Sequence, residues 1–300
     1  MRNCYGIRRR MRPLAGRYAI AGLRLLPKNA LSRWAGRAAA LRLPPRLQHW
    51  QIRAFARAVG VDLGELRDPI ESFSSLQDFF TRALREGARP IDAAADSVVA
   101  PCEGRWGASG PISGGTVLQV KGRPYTLAAL LGDAAAAQMY EGGVYATFYL
   151  SPRDYHRFHM PCAARVLRIT YIPGALWPVN RLGVEHVDGL FAQNERLCID
   201  IALGAADRAD LCLVAVGATM VGKVRVTFDD LSTNLRGGRP ATRVYRDSSP
   251  RFAKGEECGR FEFGSTIVLL AAPGVIELDA QPPGTPLCLG TRIGTLARRP

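Results

Sequence analysis

No aspartate or glutamate occurs in the first 60 residues of this 300-residue chain, although 14 lysines and arginines do. From Val61 onward the two signs balance at 26 each, so the whole net charge of +14 lies in the N-terminal fifth. An ordinary solvated surface mixes signs, so that segment points to a polyanionic partner, either nucleic acid or an anionic membrane. Long apolar runs are missing as well: none reaches the roughly 18–20 uncharged residues that a spanning helix needs. A secretory leader is not expected, because Arg17 and Arg24 interrupt the early apolar stretch, and this also argues against a twin-arginine signal at Arg8–Arg10. The seven cysteines are odd in number, scattered from Cys4 to Cys288, and never in Cys-x-x-Cys spacing. That excludes a disulfide framework and a zinc site as expectations and fits a reducing compartment. No cluster of metal ligands and no internal repeat is visible.

The basic segment divides at prolines into three helix-length stretches. The first covers about residues 14–26, with Arg10, Arg17 and Arg24 on one stripe and Leu14, Tyr18, Ala21 and Leu25 on another. The second runs from Ser32 to Leu43 with Trp34, Ala38 and Leu41 beside Arg33 and Arg37, and stops at Pro44-Pro45. The third spans Arg46–Val59, sets Trp50, Ala54, Phe55 and Ala58 against Arg46, Arg53 and Arg57, and ends at Gly60. Arginine on one face with Trp, Leu and Phe on the other is the composition of a helix lying in a membrane interface. The expected partner is therefore an anionic phospholipid membrane; the alternatives are that these helices pack their apolar faces on the protein's own core, or that the segment binds nucleic acid.

Beyond these stretches the spacing predicts a helix over Leu76–Arg85, opened by a Ser75-x-x-Asp78 capping box, and a helical stretch over 126–140. From Val98 the texture changes to short, β-branched runs separated by Gly or Pro: 143–150, 164–172, 197–201, 211–216, 222–228, 265–271 and 274–278. These read as an α+β fold, with a mostly antiparallel β-sandwich or barrel-like body and amphipathic N-terminal helices. Residues 229–254, rich in Ser, Arg, Gly and Pro, read as a long loop.

Two constellations carry chemistry. Two of the four histidines, His156 and His159, stand in Tyr149-Leu-Ser-Pro-Arg-Asp-Tyr-His-Arg-Phe-His-Met-Pro161, just past a strand end, where functional groups concentrate. The second is Gly255-Glu-Glu-Cys-Gly-Arg-Phe-Glu-Phe-Gly-Ser-Thr266. Gly264 before Ser265 lets the backbone take strained angles and brings the hydroxyl to the preceding carbonyl. With a base nearby, that oxygen attacks the carbonyl and moves the acyl group from nitrogen to oxygen. Elimination and hydrolysis then leave a pyruvoyl group.

Both constellations resemble the bacterial-type phosphatidylserine decarboxylases, as do Pro173-Gly174, the run from Leu190 to Arg196 and the run from Val216 to Gly222. The likeness extends from about residue 70 to the C-terminus. It implies cleavage between Gly264 and Ser265, with Ser265 the precursor of the pyruvoyl cofactor and His159 the base that activates its hydroxyl. It also implies that His156 or His159 protonates the carbanion, and that His156 contacts the lipid phosphate. The family's third partner is an Asp in Pro-x-Asp-Gly; here Pro101-Cys102-Glu103-Gly104 puts Glu103 in that place, to orient and charge-stabilise the histidine. The implied domains are a basic membrane-association segment, residues 1–66, and a decarboxylase domain, residues 67–300, cut into chains 1–264 and 265–300 that stay associated. Phosphatidylserine is the implied substrate, a homodimer the implied assembly, and the cytoplasmic face of a bacterial membrane the implied location; no metal is required. Three rivals use the same residues: a serine hydrolase of Ser265, His159 and Glu103 without processing, a pyruvoyl decarboxylase of a soluble amino acid, and a non-catalytic basic homologue that binds a membrane or nucleic acid.

Overall fold

The computed structural model describes residue 22 and residues 27–119, 123–205, 207–219, 223–234, 237–246, 248–262 and 265–297. The helix expected over about 14–26 lies almost wholly outside the described residues, as does Gly264. Helix Lys28–Ala39 is followed by helix Pro45–Val59, which opens with a proline at its first turn and closes on Gly60 in the left-handed region, φ 82°. The latter buries Gln48, Ile52 and Ala56, four residues apart, and packs with Ile70, Phe73 and Phe79 in a small cluster of its own. That packing runs across residue 66, where the domain boundary was expected. Trp34 and Trp50 stay outside, each 67% exposed. No helix among the described residues is long and apolar enough to cross a membrane.

Helix Leu76–Phe80 begins as its capping residues require: the Ser75 hydroxyl accepts from the Asp78 amide at 3.1 Å, while the Asp78 carboxylate reaches one residue further back, to the Ser74 amide at 3.0 Å. It stops five residues short of the expected Arg85, because the chain after Thr81 turns inward to hydrogen-bond the histidine loop. The helical stretch expected over 126–140 is two short helices, Leu127–Leu131 and Ala134–Gln138, broken at Gly132, φ 66°, and restarted by the Asp133 cap.

The strands are β1 Ser97–Val99, β2 Gly104–Pro111, β3 Thr116–Gln119, β4 Arg123–Thr126, β5 Val144–Leu150, β6 Arg157–His159, β7 Ala164–Ile172, β8 Arg196–Ala202, β9 Leu211–Val216, β10 Val224–Val226, β11 Ala241–Val244, β12 Arg251–Phe252, β13 Glu257–Phe261, β14 Ser265–Ala271, β15 Ile276–Leu278, β16 Pro286–Leu287 and β17 Arg292–Leu296. Among the described residues the largest sheet has nine strands in the order β11-β7-β8-β9-β14-β5-β2-β16, with β12 also on β7. All its pairings are antiparallel. Two three-stranded sheets, β10-β13-β6 and β1-β17-β15, and a two-stranded one, β3-β4, make up the rest among the described residues, and none of these sheets closes into a barrel. The expected loop over 229–254 is not structureless: β11 and β12 lie in it and pair along β7.

Strand β14 is central, with Thr266–Ala271 paired to β9 on one side and Ser265–Ala271 to β5 on the other. Ile267 to Ala271 are fully buried, as a strand covered on both faces demands.

Candidate active site

Strand pairing brings the three distant motifs to one place. Ser265, the first residue of β14, lies opposite Leu150, the last of β5, and Arg105 of β2 lies opposite Tyr149. The Glu103-Gly104 turn therefore enters the sheet two strands from Ser265, roughly 10 Å away at the usual spacing. Gly104 is indispensable for this approach: its φ is +139°, and a Cβ there would stand 2.0 Å from the Tyr149 carbonyl oxygen. Next to Ser265, the Thr266 hydroxyl is buried without a hydrogen-bond partner.

The histidine loop meets the segment that runs into Ser265. The Phe261 amide donates to the His156 carbonyl at 2.8 Å, and His159 of β6 lies opposite Glu257 of β13. The His159 amide donates in turn to the Pro101 carbonyl at 2.7 Å, which lays the Glu103 segment along the other side.

Both imidazoles are held the same way. His156 Nδ1 is 2.7 Å from the Asp154 carbonyl oxygen and His159 Nδ1 is 2.9 Å from that of Gly255. A carbonyl only accepts, so each Nδ1 carries the proton and each Nε2 presents a lone pair. Neither Nε2 has a partner, and both are buried. Burial favours the neutral rings: it pushes His156 down to about 3, and it is also the largest cause of the lowered pKa of His159. His156 packs at a tilt of 47° on Phe80 with ring centroids 4.1 Å apart, and the Tyr155 ring lies 5.7 Å from that of His159. Two dry imidazoles with free Nε2 atoms are poised to accept protons.

Glu103 makes no hydrogen bond to His159. One of its oxygens accepts from the Tyr155 amide at 3.0 Å and the other from Arg89 Nε. Arg89 also grips Glu65, at 2.9 and 2.7 Å. The orientation of His159 expected from Glu103 comes instead from the Gly255 carbonyl. Gly255 has φ +76°, and a Cβ there would meet Ile91 at 2.7 Å. Glu103, with its carboxylate satisfied, ties down the backbone between Asp154 and His156. Sequence reading missed Arg89 and Glu65, together with Arg82, whose Nη2 donates to the carbonyls of Arg153 at 2.7 Å and Asp154 at 3.1 Å. Arg157 returns the contact, with Nε and Nη2 on the Thr81 carbonyl at 3.0 and 2.8 Å. The signal that Arg82 and Arg89 left was an arginine-rich stretch, 82–89, of which 82–85 read as the end of a helix; Glu65 left none.

A family model described as phosphatidylserine decarboxylase matches residues 76–295. The phosphatidylserine decarboxylase proenzyme of Anaeromyxobacter sp. (strain K) is 44% identical over 286 residues, covering 94% of this chain and 99% of that protein. Those of Acidovorax ebreus (strain TPSY) and Myxococcus xanthus (strain DK1622) are 43% and 40% identical, covering 88% and 91% of this chain and 92% and 96% of theirs.

Proposed function

The chain belongs to the phosphatidylserine decarboxylase family, and from that premise we propose that it breaks its own Gly264–Ser265 bond and then decarboxylates phosphatidylserine to phosphatidylethanolamine with a pyruvoyl group derived from Ser265. The observation that carries this reading is the pair of neutral imidazoles, His156 and His159, with unpartnered Nε2 atoms beside the segment entering Ser265.

In maturation, His159 Nε2 takes the proton of the Ser265 hydroxyl as that oxygen attacks the Gly264 carbonyl. The acyl group moves to oxygen, and elimination frees Gly264 as a new carboxyl terminus. Hydrolysis of the remainder releases ammonia and leaves a ketone. That pyruvoyl ketone supplies the electron sink that receives the pair left when carbon dioxide departs. His156 and His159 serve the later step as proton carriers: burial alone keeps them neutral, so Nε2 takes up a proton only with the substrate's anionic groups beside it and then gives it to the α-carbon. Glu103, anchored by Arg89, holds the loop that bears both rings. The dry surroundings suit loss of a carboxylate, whose charge disperses as the bond breaks.

The substrate is a membrane lipid, and the N-terminal helices suit that. Leu31, Trp34, Leu47 and Trp50 are exposed on two helices whose charged residues are all basic, and Leu41 is exposed between them. Trp and Leu seat at the acyl boundary while arginines meet anionic headgroups. Peripheral attachment to the cytoplasmic face of a bacterial membrane follows from this reading.

Mass spectrometry of the purified protein tests it. The expected result is two chains, residues 1–264 and a 36-residue chain of about 4 kDa with a blocked N-terminus, in place of one 32.6 kDa chain. Ser265→Ala should stay whole and lack lipid decarboxylation. An intact wild-type chain with esterase activity would establish the serine hydrolase instead.

A further inference from the structure

Arg82 is only 4% exposed, yet it has unspent hydrogen-bonding capacity. The two hydrogens of Nη2 go to the Arg153 and Asp154 carbonyls. Nε and Nη1 are buried without a partner, which leaves three of its five N–H donors unused. The nearby carboxylates are otherwise engaged: Glu103 by Arg89 and the Tyr155 amide, Glu65 by Arg89, and Asp154 by the amide and hydroxyl of Ser151. A buried guanidinium left this way is costly in isolation and fits a site that an anion completes.

Arg82 also stands next to the reaction chemistry. Its Nη2 and His156 Nδ1 share the Asp154 carbonyl, at 3.1 and 2.7 Å. His156 presents a lone pair at Nε2 and repels an anion in this state; the donor beside it is Arg82.

Phosphatidylserine brings two anionic groups, the carboxylate that leaves and the phosphodiester that stays. A guanidinium on the carboxylate stabilises the ground state and loses that interaction as carbon dioxide forms, which slows the reaction. A guanidinium on the phosphodiester keeps its interaction throughout and draws the substrate in. Arginine also suits phosphate recognition by its fixed array of donors. We propose that Arg82 is a specificity-determining residue that binds the phosphodiester of the headgroup through Nε and Nη1, beside His156. This rests on the decarboxylase reading above.

The test uses the processed two-chain protein and two soluble amines. Glycerophosphoethanolamine carries the phosphodiester without a carboxylate; O-methylserine carries the carboxylate without a phosphate. Each is fixed to the protein with cyanoborohydride, and the rate is read from the mass of the 36-residue chain. Wild type should react at least about tenfold faster with the phosphodiester, as a charge-assisted hydrogen bond implies. Arg82→Gln should lower that rate about tenfold and change the O-methylserine rate far less. If Arg82→Gln does not self-cleave, Arg82→Lys carries the comparison: lysine keeps the charge and loses the array, so the preference should shrink without vanishing. Equal rates in wild type overturn the proposal, and so does an undiminished preference in a cleaved Arg82 variant. Selective loss of O-methylserine trapping would move Arg82 to the carboxylate and overturn it too. If wild type traps neither amine, the decarboxylase reading itself has failed.

Discussion

Replacing Arg89 by glutamine tests whether the histidine loop is held by one buried charge cluster. Arg89 bridges Glu103 and Glu65, with side-chain exposures of 16%, 11% and 32% respectively. Removing the cation leaves Glu103 nearly dry, with the Tyr155 amide as its one remaining hydrogen bond and the buried Arg82 guanidinium as the cation nearby. Breaking a buried pair from one side costs about 3–5 kcal/mol. Glu65 regains some water, so the lower end, about 3 kcal/mol, is expected, or roughly 6–12 °C in Tm for a body of this size. The measurement is urea unfolding in the Ser265→Ala background, where every variant is one covalent chain. Because the penalty is the stranded carboxylate, adding Glu103→Gln should return about 1–2 kcal/mol. In otherwise wild-type protein, Arg89→Gln should also slow self-cleavage, read as the fraction cut with time on a gel. Simple additivity of Arg89→Gln and Glu103→Gln would refute the reasoning, because the two side chains would then not share one cluster.

Four further outcomes are expected. Since burial lowers the pKa of His159, it stays a neutral base below 6.5, and the self-cleavage rate should hold level from pH 8 to 6.5 and fall only at lower pH; a midpoint above 6.5 in stopped time courses counts against His159 as the base. His156, at about 3 when folded against 6.5 when unfolded, binds fewer protons in the native state, so its contribution is present above pH 6.5 and shrinks as pH falls toward 3. The stability gap between the Ser265→Ala chain and its His156→Gln derivative should then change by up to about 1.4 kcal/mol per pH unit in that window, and parallel pH profiles would exclude this account. Gly104→Ala, with its Cβ 2.0 Å from the Tyr149 oxygen, should cost about 3 kcal/mol or more and abolish cleavage; wild-type cleavage kinetics would show that the turn is not needed. Trp34→Ala and Trp50→Ala should each weaken binding to anionic vesicles about tenfold and leave neutral-vesicle binding low, as read by co-sedimentation; unchanged binding would move the membrane contact elsewhere.

Much of the body was legible because its strands declare themselves locally. The apolar runs Ala164–Ile172, Leu211–Val216 and Ser265–Ala271 begin and end in the structure where their composition does. Both histidines were legible as chemistry, being scarce and close together. What holds them was not. The partner of each Nδ1 is a main-chain carbonyl, a group every residue has, so no residue type marks it. Glu103 marked the right place in the chain but the wrong neighbour, because its contacts are set by how residues 82–89 fold back over the loop. Strands β11 and β12 hid in Arg- and Ser-rich sequence; they are pairing partners of the β7 edge rather than apolar runs. Helix Leu76–Phe80 ended early for a tertiary reason as well, since Arg82 finds its acceptors in another part of the chain.

On the self-cleavage proposed above, the position of β14 also implies an order of events. If the chain cuts itself as proposed, a strand hydrogen-bonded to β5 and β9 along its length is expected to take its place while the polypeptide is still continuous, so that assembly precedes scission. Afterwards the short product is a stave in the middle of a wall, and neither piece leaves without dismantling the other. Two genes for the halves would have to slot that stave into a finished wall, a far harder task than snipping one end of it in place.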